Sequence, residues 1–159
     1  MSLPEVKTIL YTTSLSKHTR PVFRHAVQLA GLYRAKIIML HAVEPIGEMG
    51  HALIENYLDE DLIKKMHDEG IANIKQTMKE RVTKFYQDEL SSIDEGISLD
   101  IEQVVAEGNH ADAIISTANQ FDVDLIVMGS HNSLGSSSGT TRSVIKCGKY
   151  PVLVIPTEL

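Results

Sequence analysis

The sequence predicts an α/β fold, a doubly wound five-stranded parallel sheet with helices on both faces. Five short segments are apolar and rich in β-branched residues, as buried strands are. Between them lie stretches whose apolar residues recur at helical spacing, so strands and helices alternate along the chain. Almost wholly apolar strands indicate a sheet that is covered on both faces, which is typical of parallel sheets.

The first half of the chain contains two predicted strands and two predicted helices. A polar run follows the first strand, and Glu44 with Pro45 stops the second. In the second helix an apolar stripe (Ile71, Ile74, Met78, Val82 and Phe85) predicts a core or subunit contact. In order, the predicted elements are a strand at Thr8–Thr12, a helix over about 19–33, a strand at Lys36–Val43 and a long helix over about 59–89.

The second half contains three predicted strands and two predicted helices. The third strand, 97–105, alternates apolar and polar residues at first, as an edge strand does. The remaining predicted elements are a helix at His110–Phe121, a strand over 124–129, a Gly- and Ser-rich loop over 130–140, a short helix over 141–148 and a strand over 151–156.

Composition limits the possible functions. The 159 residues predict one domain, 1–159, with an ordinary globular balance of 43% hydrophobic and 23% charged residues. Fifteen Lys and Arg against 21 Asp and Glu give a net charge of −6. This excess of acids argues against a dedicated nucleic-acid binder and against a polybasic membrane anchor. The single cysteine, Cys147, and an N-terminus without a targeting pattern lead us to expect a cytoplasmic protein.

The carboxyl ends of the predicted strands are the expected place for a ligand, because open parallel sheets bind ligands where the strand order reverses. The segments that end there are 12–14, 42–44, 106–108 and 129–132. The last of these leads through 136–141 into a helix. Its Gly and hydroxyl residues beside the unpaired N–H groups of a helix start could form a phosphate cradle. The alternative is a surface loop with Ser and Thr caps.

Several catalytic and metal-binding motifs do not fit. Neither a G-x-G-x-x-G after the first strand nor a G-x-x-x-x-G-K-[ST] is present. Residues 135–139 match the nucleophile pattern G-x-S-x-G, but Ser137 lies eight residues after Gly129, and no Asp or His follows it. His41 and His131 could both face the ligand site, yet zinc needs three or four convergent ligands. The alternative for His41 is packing or a backbone hydrogen bond.

Several segments at the strand ends and around the last helix share a recognisable pattern. They are residues 7–16 (KTILYTTSLS), 40–45 (LHAVEP), 105–108 (VAEG), 124–131 (DLIVMGSH), 144–146 (VIK) and 150–155 (YPVLVI). In this order, and over nearly the whole chain, they resemble the universal stress protein family. The resemblance implies a Rossmann-like sheet and a homodimer, formed through the last strand (Val152, Leu153, Val154 and Ile155).

The resemblance also implies a binding or regulatory role in the stress response rather than enzyme activity. One branch of the family binds ATP through a loop G-x2-G-x9-G-[ST]. For a member of that branch we expect ATP or AMP as the ligand, bound with or without Mg²⁺. The expected nucleotide-binding residues are Thr12, Thr13, Ser14, Ala42, Val43, Met128, Gly129, His131, Asn132, Ser138, Gly139, Thr140 and Thr141.

Three departures from the nucleotide-binding branch keep alternatives open. Ser14 occupies the position where that branch usually has Asp, and Asn132 matches the second Gly of its loop. The loop from Gly129 to Ser138 is also shorter than the family pattern. The second hypothesis is therefore a dimeric interaction protein without a nucleotide. A third is a slow ATP hydrolase, for which His131 is the candidate base.

Overall fold

The computed structural model describes residues 2–14, 20–43, 59–85, 99–130 and 139–157. Five strands and four helices alternate along these residues. The strands are β1 (Thr8–Thr12), β2 (Lys36–Val43), β3 (Ile101–Glu107), β4 (Leu125–Gly129) and β5 (Val152–Ile155). The helices are α1 (Arg20–Tyr33), α2 (Glu60–Phe85), α3 (His110–Phe121) and α4 (Gly139–Cys147).

The strands form one parallel sheet in the order β3-β2-β1-β4-β5. The central strand, β1, pairs with β2 through Thr12 and Leu40 and with β4 through Tyr11 and Val127. The chain first adds strands on one side of β1 and then continues on the other. The order therefore reverses between β1 and β4, where a ligand site is expected.

Two apolar cores cover the two faces of the sheet. On one face Ile9, Tyr11 and Met39 pack with buried residues of α1 and α2, such as Val22 and Met78. On the other face the alternate strand residues pack with α3 and α4, and this core is formed by Leu10, Ile38, Leu40, Ile114, Ala118, Val123, Ile126, Met128 and Val144. The predicted doubly wound sheet with helices on both faces is confirmed.

Most predicted elements are observed with small changes of bounds. The main correction concerns β3, which we predicted over 97–105: residues 97 and 98 lie outside the described residues, residues 99 and 100 are not in the strand, and the strand runs over Ile101–Glu107. Its partner β2 sets this range, since the pairing runs from Ile37 with Ile101 to Val43 with Glu107. β3 lies at one edge of the sheet, as its alternation predicts. Helix α4 begins two residues before the predicted start, at Gly139.

The predicted stripe of α2 contributes to the core. Met78 and Val82 are buried, and Ile74 packs against the same cluster. Residues 86–89 of the predicted helix lie outside the described residues. Within the described part of the chain, no helix combines the length and apolar character that crossing a membrane requires.

Candidate functional site

The carboxyl ends of β1 and β4 lie side by side at the point where the strand order reverses. Backbone hydrogen bonds continue one residue past each strand. The Thr13 N–H donates to the Leu40 carbonyl at 2.9 Å, and the Ser130 N–H donates to the Ile155 carbonyl at 2.9 Å. These bonds hold Thr13 and Ser130, the first residues after β1 and β4, in line with the sheet.

Buried hydroxyl groups are concentrated at this edge. Among the described residues four polar side chains are buried, and three of them are threonines at the strand ends or the start of α4: Thr13, Thr141 and Thr157. The fourth, Thr117, lies within α3. No buried side-chain oxygen or nitrogen of the described residues lacks a hydrogen-bond partner. The end of the sheet is thus polar but uncharged where β1, β4 and β5 finish.

Gly129, the last residue of β4, is in close contact with two other side chains. A Cβ at this position would lie 3.0 Å from Thr157 Cγ2 and 3.3 Å from Val22 Cγ2. Both distances are tighter than most Cβ contacts, so Thr157 and Val22 would have to shift by a few tenths of an ångström, and this packing favours the glycine. A ligand at this edge must therefore approach Gly129 from elsewhere than this filled side.

The start of α4 is held directly against the end of β4. The Thr141 hydroxyl donates to the Gly129 carbonyl at 3.1 Å. The first turn of a helix has N–H groups without intrahelical acceptors and a partial positive charge of roughly half a unit. Because Thr141 lies in that turn, the positive end of α4 faces the edge where β1 and β4 end.

His41 connects β2 to the residue after β1. Its Nδ1 lies 2.8 Å from the Thr13 carbonyl oxygen. A carbonyl only accepts, so Nδ1 carries the proton and Nε2 is left as an acceptor when the ring is neutral. The predicted alternative of a backbone hydrogen bond for His41 is confirmed. Over the described ranges, no group of three or more His, Cys, Asp or Glu side chains is placed to hold a metal ion.

The structure brings together most of the predicted site residues that it describes. Thr12, Thr13 and Ser14 follow β1, and Gly139, Thr140 and Thr141 begin α4 beside Gly129. Ala42 and Val43 end β2, the other neighbour of β1. The Met128 side chain is buried in the core, so only its backbone is available to a ligand. His131, Asn132 and Ser138 lie outside the described residues.

Two residues of this edge, Ser130 and Thr157, were missed by the predicted set. The Thr157 N–H donates to Ser130 Oγ at 3.1 Å, and the two side-chain oxygens lie 3.5 Å apart. The signal that could have found them is the parallel register of β4 and β5. Gly129 pairs with Ile155, so the residues just beyond both strands must lie close together.

A second polar contact lies farther along the same edge, where α2 crosses the end of β3. His67 Nε2 is hydrogen-bonded to Glu107 Oε1, and Nδ1 lies 3.4 Å from Asp68 Oδ1. The Glu107 carboxylate, followed by that of Asp68, raises the pKa of the His67 imidazole above its ordinary value. Glu107 is two strands away from β1, roughly 10 Å at ordinary strand spacing.

Sequence comparisons place this chain among known proteins. The model of the universal stress protein family matches residues 5–156. A universal stress protein of Methanocaldococcus jannaschii is 24% identical over 159 residues, an alignment that covers 94% of each chain.

Solved structures share the fold at lower sequence identity. The universal stress protein UspA from Lactobacillus plantarum has a TM-score of 0.69 at 21% identity, covering 95% of this chain and 98% of that one. A universal stress protein in complex with cAMP has a TM-score of 0.62 at 21% identity, with 97% and 99% coverage. One from Archaeoglobus fulgidus in complex with dAMP has a TM-score of 0.55 at 21% identity, with 96% and 99% coverage.

The family match spans nearly the whole chain, and the solved structures named above share its fold. At these identities the solved structures support the fold alone. On the family match, this chain belongs to the universal stress protein family.

Proposed function

We propose that this protein binds an adenine nucleotide (ATP, ADP or AMP) where β1 and β4 end, and acts in the stress response as a dimeric binding or regulatory protein. The observation that carries the proposal is the contact between Thr141 and Gly129, which holds the start of α4 against the end of β4. Helix N–H groups at that place suit a phosphate group. Two structures with this fold contain adenine nucleotides, cAMP and dAMP.

The proposed contacts divide between the two ends of the nucleotide. Adenosine lies against the ends of β1 and β2, and the phosphate groups lie at the start of α4. We assign Thr12, Thr13, Ser14, Ala42, Val43 and the Met128 backbone to adenosine, Gly129, His131 and Asn132 to the shape of the loop, and Ser138, Gly139, Thr140 and Thr141 to the phosphate groups.

In this proposal Thr141 acts through its backbone. Its hydroxyl donates to the Gly129 carbonyl and its side chain is buried, so its contribution to phosphate is through the backbone N–H. The chain's net charge of −6 does not attract an anion. Local N–H groups and the positive end of α4 must therefore supply the binding energy.

Several further features belong to the same proposal. Mg²⁺ accompanies ATP in this proposal, and no residue of the protein is assigned as its ligand. The homodimer forms through the edge strand β5, using Val152, Leu153, Val154 and Ile155. The protein is a cytoplasmic binding protein with one domain, and it has no catalytic residue.

Isothermal titration calorimetry with ATP, AMP and adenosine, each with and without Mg²⁺, tests the proposal. We expect binding of both nucleotides, and ligand at 100-fold over Kd should stabilise the fold by about 2.7 kcal/mol. A melting temperature that does not move with millimolar ATP or AMP, together with no heat of binding, would refute the proposal.

The second candidate is a dimeric interaction protein that binds no nucleotide. The observation that favours it is the exposed, uncharged Ser14 after β1, where the family's nucleotide-binding branch usually has Asp. Native mass spectrometry of the freshly purified protein separates the two. A dimer mass without added ligand, unchanged after incubation with ATP, supports the interaction protein, whereas a retained adenine nucleotide excludes it.

A further inference from the structure

Three hydroxyl-bearing residues join the segments around the end of β4, and we call Ser130, Thr141 and Thr157 the hydroxyl clamp. Ser130 Oγ accepts the Thr157 N–H at 3.1 Å and lies 3.5 Å from the Thr157 hydroxyl oxygen. Thr141 donates its hydroxyl to the Gly129 carbonyl at 3.1 Å. Thr141 and Thr157 are 6% and 4% exposed, so solvent competes little for their hydrogen bonds.

The clamp fixes both ends of the connection between β4 and α4. The chain leaves the sheet at Ser130, whose side chain is bound to the segment after β5 and whose N–H donates to the Ile155 carbonyl. It returns at α4, whose first turn is bound to Gly129 through Thr141. The start and the finish of this connection are therefore anchored on two consecutive residues, Gly129 and Ser130. The clamp thus sets where the N–H groups of α4 lie relative to β1 and β4.

Thr157 also limits the position of Gly129 by contact. Its methyl carbon would be 3.0 Å from a Cβ at Gly129 and fills that side of the strand end together with Val22. Thr157, two residues beyond the end of β5, thus restrains Gly129 through its methyl group and Ser130 through its N–H and hydroxyl. Neither Ser130 nor Thr157 belongs to the set that we assign to the nucleotide.

We infer that Ser130 and Thr157 are positioning residues for the phosphate end of the site, acting through Gly129 and the start of α4 rather than by touching the ligand. The inference rests on the proposed nucleotide binding. Phosphate groups depend on N–H donors held within about 2.7–3.2 Å, whereas adenosine is held at the ends of β1 and β2. Loosening the clamp should therefore weaken binding of ATP far more than binding of adenosine.

The experiment compares the affinities of ATP and adenosine in matched variants by calorimetry. Ser130→Ala removes the oxygen that accepts the Thr157 N–H, and Thr157→Val removes the hydroxyl but retains the methyl group. Ser130→Ala should weaken ATP binding about fivefold to tenfold and adenosine binding less than about twofold; Thr157→Val, which removes only the 3.5 Å contact between the two hydroxyls, should weaken ATP binding less than Ser130→Ala does. Ser130→Thr retains the oxygen and should restore the affinity for ATP.

Thr117→Val is the matched control, because Thr117 is a buried threonine on α3 outside this edge. It should leave the ratio of the two affinities unchanged, whatever it does to the melting temperature. Equal weakening of ATP and adenosine by Ser130→Ala, or a lower melting temperature with an unchanged ratio, would assign the pair a structural role only and overturn the inference.

A ligand-free measurement separates failure of this inference from failure of the proposed function. Amide hydrogen exchange in Ser130→Ala should be faster at Ser143 and Val144, whose N–H groups have intrahelical acceptors in the first turn of α4, than in the wild type, but not within α3. If the wild type binds neither ATP nor adenosine, the proposed function fails. Unchanged exchange at Ser143 and Val144 would overturn the positioning role in either case.

Discussion

The amino ends of the five strands form one edge of the sheet and the carboxyl ends form the other. We call them the amino edge and the carboxyl edge, and different groups hold each of them together. At the amino edge a carboxylate joins the start of β4 to the start of β1, since one Asp124 oxygen accepts the N–H groups of Lys7 and Thr8 at 2.8 and 3.0 Å. At the carboxyl edge, the ends of β4 and β5 and the start of α4 are joined by neutral hydroxyls, at Ser130, Thr141 and Thr157. A carboxylate in that second place would repel a phosphate group.

Among the described residues at the carboxyl ends of the strands, negative charge lies at the far end of the edge, on β3. Considering only the described strand ends at this edge, Glu107 on β3 carries the negative charge, and it is paired with His67. At the amino edge carboxylates also lie near the central strands, since Asp122 and Asp124 are both between α3 and β4. Over the described residues, the carboxyl ends of β1, β4 and β5 therefore lack the carboxylates that the amino edge has, which is what the proposed phosphate site requires.

The largest expected effect is at Gly129, where the carboxyl edge is most tightly packed. Gly129→Ala places a Cβ 3.0 Å from Thr157 Cγ2, so we expect a loss of about 1–3 kcal/mol in the free energy of unfolding, measured with urea. The double variant with Thr157→Ser lacks the clashing methyl group and should recover part of that loss.

Gly31→Ala is the matched control for this prediction. It lies in α1 with no atom within 4 Å of the added Cβ, so it should stabilise the protein by about 0.5–1 kcal/mol. Strictly additive effects of Gly129→Ala and Thr157→Ser would contradict the packing explanation.

The next largest effect is at Asp124 on the amino edge. Asp124→Ala leaves two backbone N–H groups without their acceptor and should cost about 1–2 kcal/mol. Asp124→Asn retains one oxygen and should cost less. Affinity for ATP should be unchanged in both variants, because the amino edge is remote from the site. Weaker ATP binding in a fully folded Asp124→Asn protein would contradict the division between the edges.

The fold was largely predictable because its signals are local. The apolar runs of β1 and β2 have the predicted bounds, and α3 begins and ends as its periodicity indicates. The start of β3 was wrong because alternation continues before Ile101, while the strand is limited by where β2 offers a partner. Local pattern alone does not contain that information.

The placement of the candidate site residues was predictable only as far as topology determines it. Thr12 and Gly129 follow from the rule that ligands bind where strand order reverses. Ser130 and Thr157 are 27 residues apart, and their contact depends on the register of β4 with β5. The contact of His67 with Glu107 depends on where a 26-residue helix crosses the sheet. Such relations arise from packing, which the sequence pattern does not specify.

A smaller effect is expected where α3 ends at the amino edge. Asp122 adopts a left-handed conformation with φ of 49°, which is unfavourable for a residue with a side chain, and its negative charge lies at the negative end of the helix. Asp122→Gly relieves both and should raise the free energy of unfolding by about 0.5 kcal/mol after the greater chain entropy of glycine is included.

Arg34→Gly is the paired variant, since Arg34 has φ of 56° after α1. A cation is favourable at that end of a helix, so this variant should gain less than Asp122→Gly. Thermal unfolding of both proteins measures the difference. A larger gain for Arg34→Gly would show that the helix charge does not contribute.

The smallest effect on stability is expected for the charged pair at the far end of the carboxyl edge. Because Glu107 contributes most to the raised pKa of His67, Glu107→Gln should lower that pKa toward its ordinary value, as followed by an NMR pH titration of the imidazole. Asp68→Asn, the matched change to the weaker contributor, should lower it less.

The sign of the pH dependence follows from the raised pKa. The protonated imidazole is favoured in the folded state, so the pair contributes to stability fully below the unfolded pKa of about 6.5 and loses that contribution as pH rises through the folded value. Both groups are exposed to solvent, so added salt should weaken the effect. If Glu107→Gln leaves the His67 titration unchanged, the pair does not neutralise Glu107, and the carboxyl edge carries an uncompensated negative charge at its far end.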